Sequence, residues 1–156
     1  MNVMRKKENL PPINIGLHLV FTGSPGTGKT TVARLIGRLY KAIGLLEKGE
    51  MVEVDRADLV SGFVGQTATK TQGKIAEADG GVLFIDEAYS LAADTGSEHG
   101  FGDEAISTLV KAMEDKRDKF AVIVAGYSDD MDNFIKSNKG LKSRFQTFIE
   151  FEDYSF

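Results

Sequence analysis

Gly23-Ser24-Pro25-Gly26-Thr27-Gly28-Lys29-Thr30 decides how the rest of this chain is read. An apolar run, Leu17-His18-Leu19-Val20-Phe21, precedes it, and an amphipathic run opens at Thr31. The context is strand, glycine loop, helix. The pattern G-x-x-x-x-G-K-[ST] is met at every fixed position, and such a loop cradles phosphates. Its glycines let backbone N–H groups converge on an anion without Cβ obstruction. The following helix turns its unpaired N–H groups and positive dipole end toward the same anion. Ser24, Pro25, Gly26, Thr27, Gly28, Lys29, Thr30 and Thr31 are therefore the candidate phosphate-binding residues. Lys29 is expected to reach the β- and γ-phosphates, and the Thr30 hydroxyl to ligate Mg²⁺.

Outward from the loop, hydrophobic periodicity alternates between two kinds. Val32, Leu35, Ile36, Leu39, Tyr40 and Ile43 recur at helical spacing, with Arg34, Arg38 and Lys41 on the other face and Gly44 as the stop. Met51 to Asp55 alternates as a short strand. Asp58-Leu59-Val60 suits one helical turn, and a helix is expected over Thr67 to Ala78, weakened by three threonines and Gly73. Val82-Leu83-Phe84-Ile85 and Phe120 to Ala125 are continuous apolar runs, the pattern of strands buried on both faces. Ala92 to Gly102 reads as loop, and Asp103 to Arg117 as an amphipathic helix with Ile106, Leu109, Val110 and Met113 inward. Asp129 to Ser137 suggests a further helix, which Asn138-Lys139-Gly140 ends before a fifth strand at Thr147 to Phe151. Strands alternating with helices build a parallel sheet with helices on both faces. Ligands sit beyond the carboxyl ends of such strands, where the glycine loop, Asp86-Glu87 and Gly126-Tyr127 all fall.

Composition narrows the class. The chain has 156 residues, 42% hydrophobic and 27% charged, which suits one globular domain. Its net charge of −4 lacks the basic footprint of a general nucleic-acid binder. There is no cysteine, hence no disulfide and no thiolate chemistry. The longest apolar runs are too short to span a bilayer, and no apolar core follows the charged Met1–Glu8 to make a secretory signal. The cytoplasm is the expected compartment. Met1 to Asn14 reads as a lead-in, with Pro11-Pro12 blocking regular structure, and residues 15–156 as the folded core. His18 is expected to be a packed strand residue.

Asp86 ends a hydrophobic strand, the context of a carboxylate that organises Mg²⁺ beside a phosphate loop. Glu87 next to it can accept a hydrogen bond from a water and aim it at the γ-phosphate. The chemistry implied is phosphoryl transfer to water, driven by positioning and charge neutralisation.

The phosphate loop together with Val82-Leu83-Phe84-Ile85-Asp86-Glu87-Ala88 resembles the core of AAA+ ATPases. Phe63-Val64-Gly65-Gln66-Thr67-Ala68, Asp86 to Leu91, Val124 to Tyr127 and Gly140 to Phe145 resemble the CbbX and stage V sporulation protein K branch. That resemblance covers nearly all of the chain from Leu17 to Tyr154. It implies a three-layer α-β-α P-loop fold with a five-stranded parallel sheet, ATP or ADP with Mg²⁺ as ligands, and assembly into a ring, typically a hexamer, that remodels a protein client. Lys29, Thr30, Asp86 and Glu87 match the nucleotide site. Arg144 matches the arginine finger, which acts on a neighbouring subunit's nucleotide, and is otherwise a surface arginine. Phe63 and Val64 match the pore loop that grips a threaded polypeptide; a core phenylalanine beneath a loop is the alternative. Thr95 to Phe101 occupy the position of a second pore loop. Tyr127 stands where the family commonly has a small polar sensor residue; its hydroxyl can donate to phosphate, but core packing or a role for Ser128 fits equally. The helical lid that completes the family's architecture is expected to be missing, because the chain stops where it should begin.

Three other functions compete with a remodelling ATPase. One is a nucleotide-dependent interaction module with little turnover. The second is a P-loop kinase for a small molecule, against which Glu87 and Arg144 argue. The third is a DNA-handling ATPase, against which the acidic balance and the Phe63 loop argue.

Overall fold

A computed structural model describes residues 17–24, 28–60, 66–94, 101–116 and 119–151. The elements run in chain order as β1 (Leu19–Thr22), α1 (Lys29–Ala42), β2 (Met51–Val54), α2 (Arg56–Leu59), α3 (Thr67–Glu77), β3 (Val82–Asp86), a 3₁₀ segment (Ala88–Asp94), α4 (Phe101–Asp115), β4 (Ala121–Gly126), α5 (Ser128–Lys136), α6 (Lys139–Arg144) and β5 (Thr147–Glu150). The strands form one parallel sheet in the order β2-β3-β4-β1-β5. β1 therefore lies between β4 and β5; the connection that leaves β1 crosses the sheet to β2, and the connection from β4 passes over β1 to reach β5.

The apolar runs over β3 and β4 are buried on both faces, as continuous patterning requires. Val20, Leu83, Ile85, Val122 and Val124 point to one side, into a cluster with Leu59, Ile75, Ile106, Leu109, Met113, Met131, Phe134, Leu141 and Phe145. Leu19, Phe21, Val82, Phe84, Ile123 and Ala125 point to the other, against α1. Phe84 and Phe21 are fully buried, each such side chain contributing about 1.5–3 kcal/mol from area alone. Among the described residues the layers are unequal, with α1 covering one face and α2 to α6 the other.

Helix α1 departs from its expected stripe. Ala33 and Gly37 make the closest approach to the sheet, with Val32, Ile36 and Tyr40 half-buried beside them. Leu35, Leu39 and Ile43 are 54%, 54% and 60% exposed. Successive residues turn by about 100°, so the row at 35, 39 and 43 falls on the side of the helix turned away from the contact line that the small residues set.

Two further differences concern local chemistry. Asn138 does not end α5; it starts α6, its side-chain oxygen accepting from the Leu141 N–H at 3.1 Å. This is an N-cap, which offers a helix donor the partner that the helix itself lacks. In α3 two of the three threonines that weakened the expected helix are core residues, and Thr69 is exposed. Thr67 and Thr71 are fully buried, and the Thr71 hydroxyl donates to the Leu59 carbonyl at 2.9 Å. The 3₁₀ segment begins inside a stretch to which the periodicity assigned no element.

His18 is packed in β1's approach, as expected of a strand residue. Its Nδ1 accepts from the Val122 N–H at 3.0 Å, and its ring meets Phe120 edge-on and Phe145 at a tilt. Burial, assisted by the nearby Arg144 charge, lowers its pKa from 6.5 to about 4. The folded protein thus holds His18 neutral at pH values where the unfolded chain protonates it. Its contribution is complete above about pH 6.5 and is lost as pH falls toward 4, on the order of 3 kcal/mol in all. Unfolding titrations at pH 7, 5.5 and 4.5 should show a shallower loss of stability in His18→Gln than in the parent. Parallel pH profiles would show that His18 is not neutral in the fold.

Candidate functional site

Because β1 is flanked by β4 and β5, the loop after it emerges between their carboxyl ends. The Gly23 N–H donates to the Gly126 carbonyl at 3.0 Å. Gly23 has φ 144°, and a Cβ there would lie 2.5 Å from the Phe151 carbonyl oxygen. Only glycine fits so close to another backbone. Gly28 closes the loop in left-handed conformation and caps α1, whose first residue is Lys29. Pro25, Gly26 and Thr27 lie outside the described residues.

A pocket of about 400 Å³ sits at this edge, lined by Gly23, Gly28, Lys29, Thr30, Thr31, Asp86, Glu87, Gly126 and Tyr127. The size is that of a small-molecule site. Three separated stretches, ending β1, β3 and β4, meet there. Ser24 is half-buried on the approach to the loop. Lys29 is 8% exposed, and its ammonium donates to the Gly23 carbonyl at 2.7 Å. Burial lowers its pKa from the ordinary lysine value, while the carboxylates of Asp86 and Glu87 pull it back up. Glu53, Asp55 and Asp58 line an adjoining hollow together with Asp86 and Glu87. The pocket's β3 side is thus strongly negative, so an anionic ligand needs Lys29 and a further cation to settle beside it.

Glu87 explains how two consecutive carboxylates serve one pocket. Within a strand they would point to opposite faces. Glu87 has φ 50°, a positive value that no other non-glycine shares among the described residues. Its N–H donates to the Asp86 carboxylate at 3.0 Å. The left-handed turn brings both side chains to the same cavity. Such a conformation costs of order 1–3 kcal/mol and clusters at functional positions.

Tyr127 lines the pocket and is 43% exposed, which removes the core-packing reading for its side chain. Ser128 begins α5. Sequence reasoning passed over Tyr89 as an individual residue. Burial, then the charges of Glu87 and Asp130, raise its phenol pKa from the usual value, so it stays a hydrogen-bond donor beside the site. No spacing signal could have shown this, since the charges around it come from the end of β3 and from α5.

Arg144 is not among the residues lining this pocket. It ends α6, ahead of β5, where the adjacent Phe145 packs on His18 at the amino end of β1. A four-residue strand, about 13 Å long, separates that end from the phosphate loop. Arg144 instead pairs with Glu114 at 3.0 Å. Phe63, Val64 and the stretch 95–100 lie outside the described residues, as do the lead-in and the end of the chain.

Comparison with known proteins agrees with this architecture. The family model described as "ATPase family associated with various cellular activities (AAA)" matches residues 19–153, and the chain belongs to that family. It is 54% identical to stage V sporulation protein K of Bacillus subtilis over 99% of this chain and 48% of that protein. It is 48% identical to the CfxQ homolog of Galdieria sulphuraria over 97% of this chain and 50% of that one. The ESX-3 secretion system protein EccA3 of Mycobacterium leprae is 48% identical over 99% of this chain and 24% of its own length. The chain thus spans half or less of these relatives. A crystal structure of the FIGL-1 AAA domain in complex with ADP superposes with a TM-score of 0.59 over 87% of this chain and 43% of that one, at 20% identity, which supports the fold.

The strained turn yields a separable outcome. Glu87→Gly should unfold at equal or higher denaturant concentration than the parent, by up to about 1–2 kcal/mol, whereas Glu87→Gln should match the parent. A clear loss of stability in the glycine variant would mean that the positive φ is not a strained conformation held for the site.

Proposed function

We propose that this chain binds ATP with Mg²⁺ in the Lys29 pocket and hydrolyses it, within a ring of like subunits that remodels a protein client. One observation supports this above others: Lys29, Thr30, Asp86, Glu87 and Tyr127 share one cavity, while Arg144 stands at the opposite end of the sheet. Gly28 and the N-terminal N–H groups of α1 face the phosphates, and Lys29 exchanges the Gly23 carbonyl for the β- and γ-oxygens.

Among the described residues no three His, Cys, Asp or Glu side chains are arranged to hold a metal by themselves. The Thr30 hydroxyl and the Asp86 carboxylate nevertheless form an all-oxygen pair beside Lys29, and Mg²⁺ is commonly held by one or two protein oxygens plus phosphates and water. The ion would neutralise charge on the transferring phosphoryl group. Glu87, exposed at the pocket mouth, accepts a hydrogen bond from a water and orients its oxygen toward the γ-phosphorus. The water oxygen bonds to phosphorus, the bond to the bridging oxygen breaks, and ADP and phosphate leave. Tyr127 donates its hydroxyl to phosphate or to the water.

Arg144 serves a neighbouring subunit, since its own pocket lies a strand length away. Phe63 and Val64 grip the client. The relatives carry names from sporulation and from a secretion system, so we assign to this domain a motor core shared by proteins with different roles. No helix among the described residues is long and apolar enough to cross a membrane, and ATP supply and the lack of cysteine suit the cytoplasm.

Lys29→Ala should abolish ATP binding measured by calorimetry or a fluorescent nucleotide; undiminished affinity would sink the assignment of the pocket. Glu87→Gln should keep nucleotide affinity while lowering turnover by at least about a hundredfold. Turnover at the parent rate would show that Glu87 does not orient the water. Arg144→Ala should lose turnover alone and regain part of it when mixed with Lys29→Ala subunits, because intact half-sites then meet across interfaces. An inactive mixture of the two would exclude action in trans.

A further inference from the structure

The arginine that stands apart from its own pocket is held by a second, specific contact. Helices α4 and α6 touch where Gly140 meets Val110. A Cβ at Gly140 would lie 2.7 Å from Val110 Cγ1, so glycine is what lets α6 come this close. One turn further along both helices, residue 110 gives way to 114 and residue 140 to 144. The same register that seats Gly140 on Val110 therefore brings Glu114 beside Arg144. Arg144 Nη2 lies 3.0 Å from Glu114 Oε2, and Nη1 donates to the Ser143 hydroxyl at 2.7 Å. That hydroxyl in turn donates to the Gly140 carbonyl at 3.1 Å.

The backbone on both sides of Arg144 is anchored independently. Leu141 is fully buried, and Phe145 is 1% exposed with its ring against His18. What remains free is the arginine side chain, which has four rotatable bonds. Its side chain is only 24% exposed, whereas that of Glu114 is 57% exposed. A pair this wet adds little to folding stability, typically 0–1 kcal/mol. Its geometry is more informative than its energy. A guanidinium carries five N–H donors in a rigid fork. Glu114 and Ser143 engage one on each terminal nitrogen, leaving three for an anion.

We propose that Glu114 is a positioning residue for Arg144: it fixes the guanidinium in the orientation from which the remaining N–H groups reach a neighbouring subunit's γ-phosphate. This rests on the reading of Arg144 as a group acting in trans. Without Glu114 the side chain samples many rotamers, and charge stabilisation weakens because the donor must be ordered again at each turnover. Neither the nucleotide pocket nor the fold depends on it.

The test uses ATP turnover, nucleotide binding and thermal unfolding on the same preparations. Glu114→Ala should lower kcat about tenfold or more, with KM, nucleotide affinity and melting temperature close to the parent's. Glu114→Gln keeps an acceptor for the guanidinium and should recover part of that loss. Adding Glu114→Ala to Arg144→Ala should lower turnover no further, because one change already removes what the other serves. Glu114→Ala subunits mixed with Lys29→Ala subunits should regain activity, since the second kind supplies an intact finger to the first kind's intact pocket. Parent turnover in Glu114→Ala, or no recovery in that mixture while Arg144→Ala with Lys29→Ala does recover, overturns the role of Glu114 alone. Parent turnover in Arg144→Ala overturns the trans reading and the positioning role with it.

Discussion

The hydrogen bond from the Gly23 N–H to the Gly126 carbonyl expresses the constraint on which the rest of the site depends. It exists because β1 is threaded between β4 and β5 in a parallel sheet, so the loop after β1 has a strand end on each side. A parallel sheet sends every strand's carboxyl end to one edge, and the reversal of strand order leaves a crevice there. The loop is held on one side by Gly126 and on the other by the Phe151 backbone, which leaves no room for a side chain at Gly23. Lys29 follows from this as the first residue of α1, buried against the Gly23 carbonyl and facing the carboxylates of β3.

The same sheet separates two kinds of charge chemistry. Its carboxyl edge gathers Lys29, Asp86, Glu87 and Tyr127 around one cavity. Its amino edge carries His18 and Phe145, with Arg144 and Glu114 on the helices that close it. The link between the edges is apolar packing: β1 and β4 run between them with nearly every residue buried. A dense core of this kind transmits position faithfully, because its side chains have little volume in which to rearrange. If Arg144 acts in trans as proposed, a pocket on one edge and an arginine on the other suit a head-to-tail arrangement of copies, a contact that closes into a ring when the rotation allows.

Much of the fold was legible as periodicity. The runs at Val82–Ile85 and Phe120–Ala125 announced doubly buried strands, and the glycine loop located the first strand and the first helix. Errors came where a residue type has two meanings. Asn138 reads as a stop after one helix and as a cap before the next, and only the Leu141 N–H that it accepts from separates the two. Leu35, Leu39 and Ile43 have the spacing of a buried face, but Ala33 and Gly37 let the backbone approach the sheet on the other side of the helix. Side-chain size at the contact line outweighed hydrophobicity.

The candidate site divides in the same way. The sequence alone determined which groups are available and roughly where along the chain they fall: the loop glycines, Lys29 and Thr30, two acids closing an apolar strand, an arginine ahead of the last strand. These are local properties, set by spacing and by the strand–loop–helix order. Tertiary structure decided which of them meet. The left-handed turn at Glu87 put both acids into one cavity, and the α4–α6 register put Glu114 on Arg144. Both depend on contacts between segments tens of residues apart, whose geometry no window of sequence contains. Because those contacts place Arg144 a strand length from the glycine loop, tertiary structure alone divided one list of candidate residues into two groups at opposite edges of a sheet.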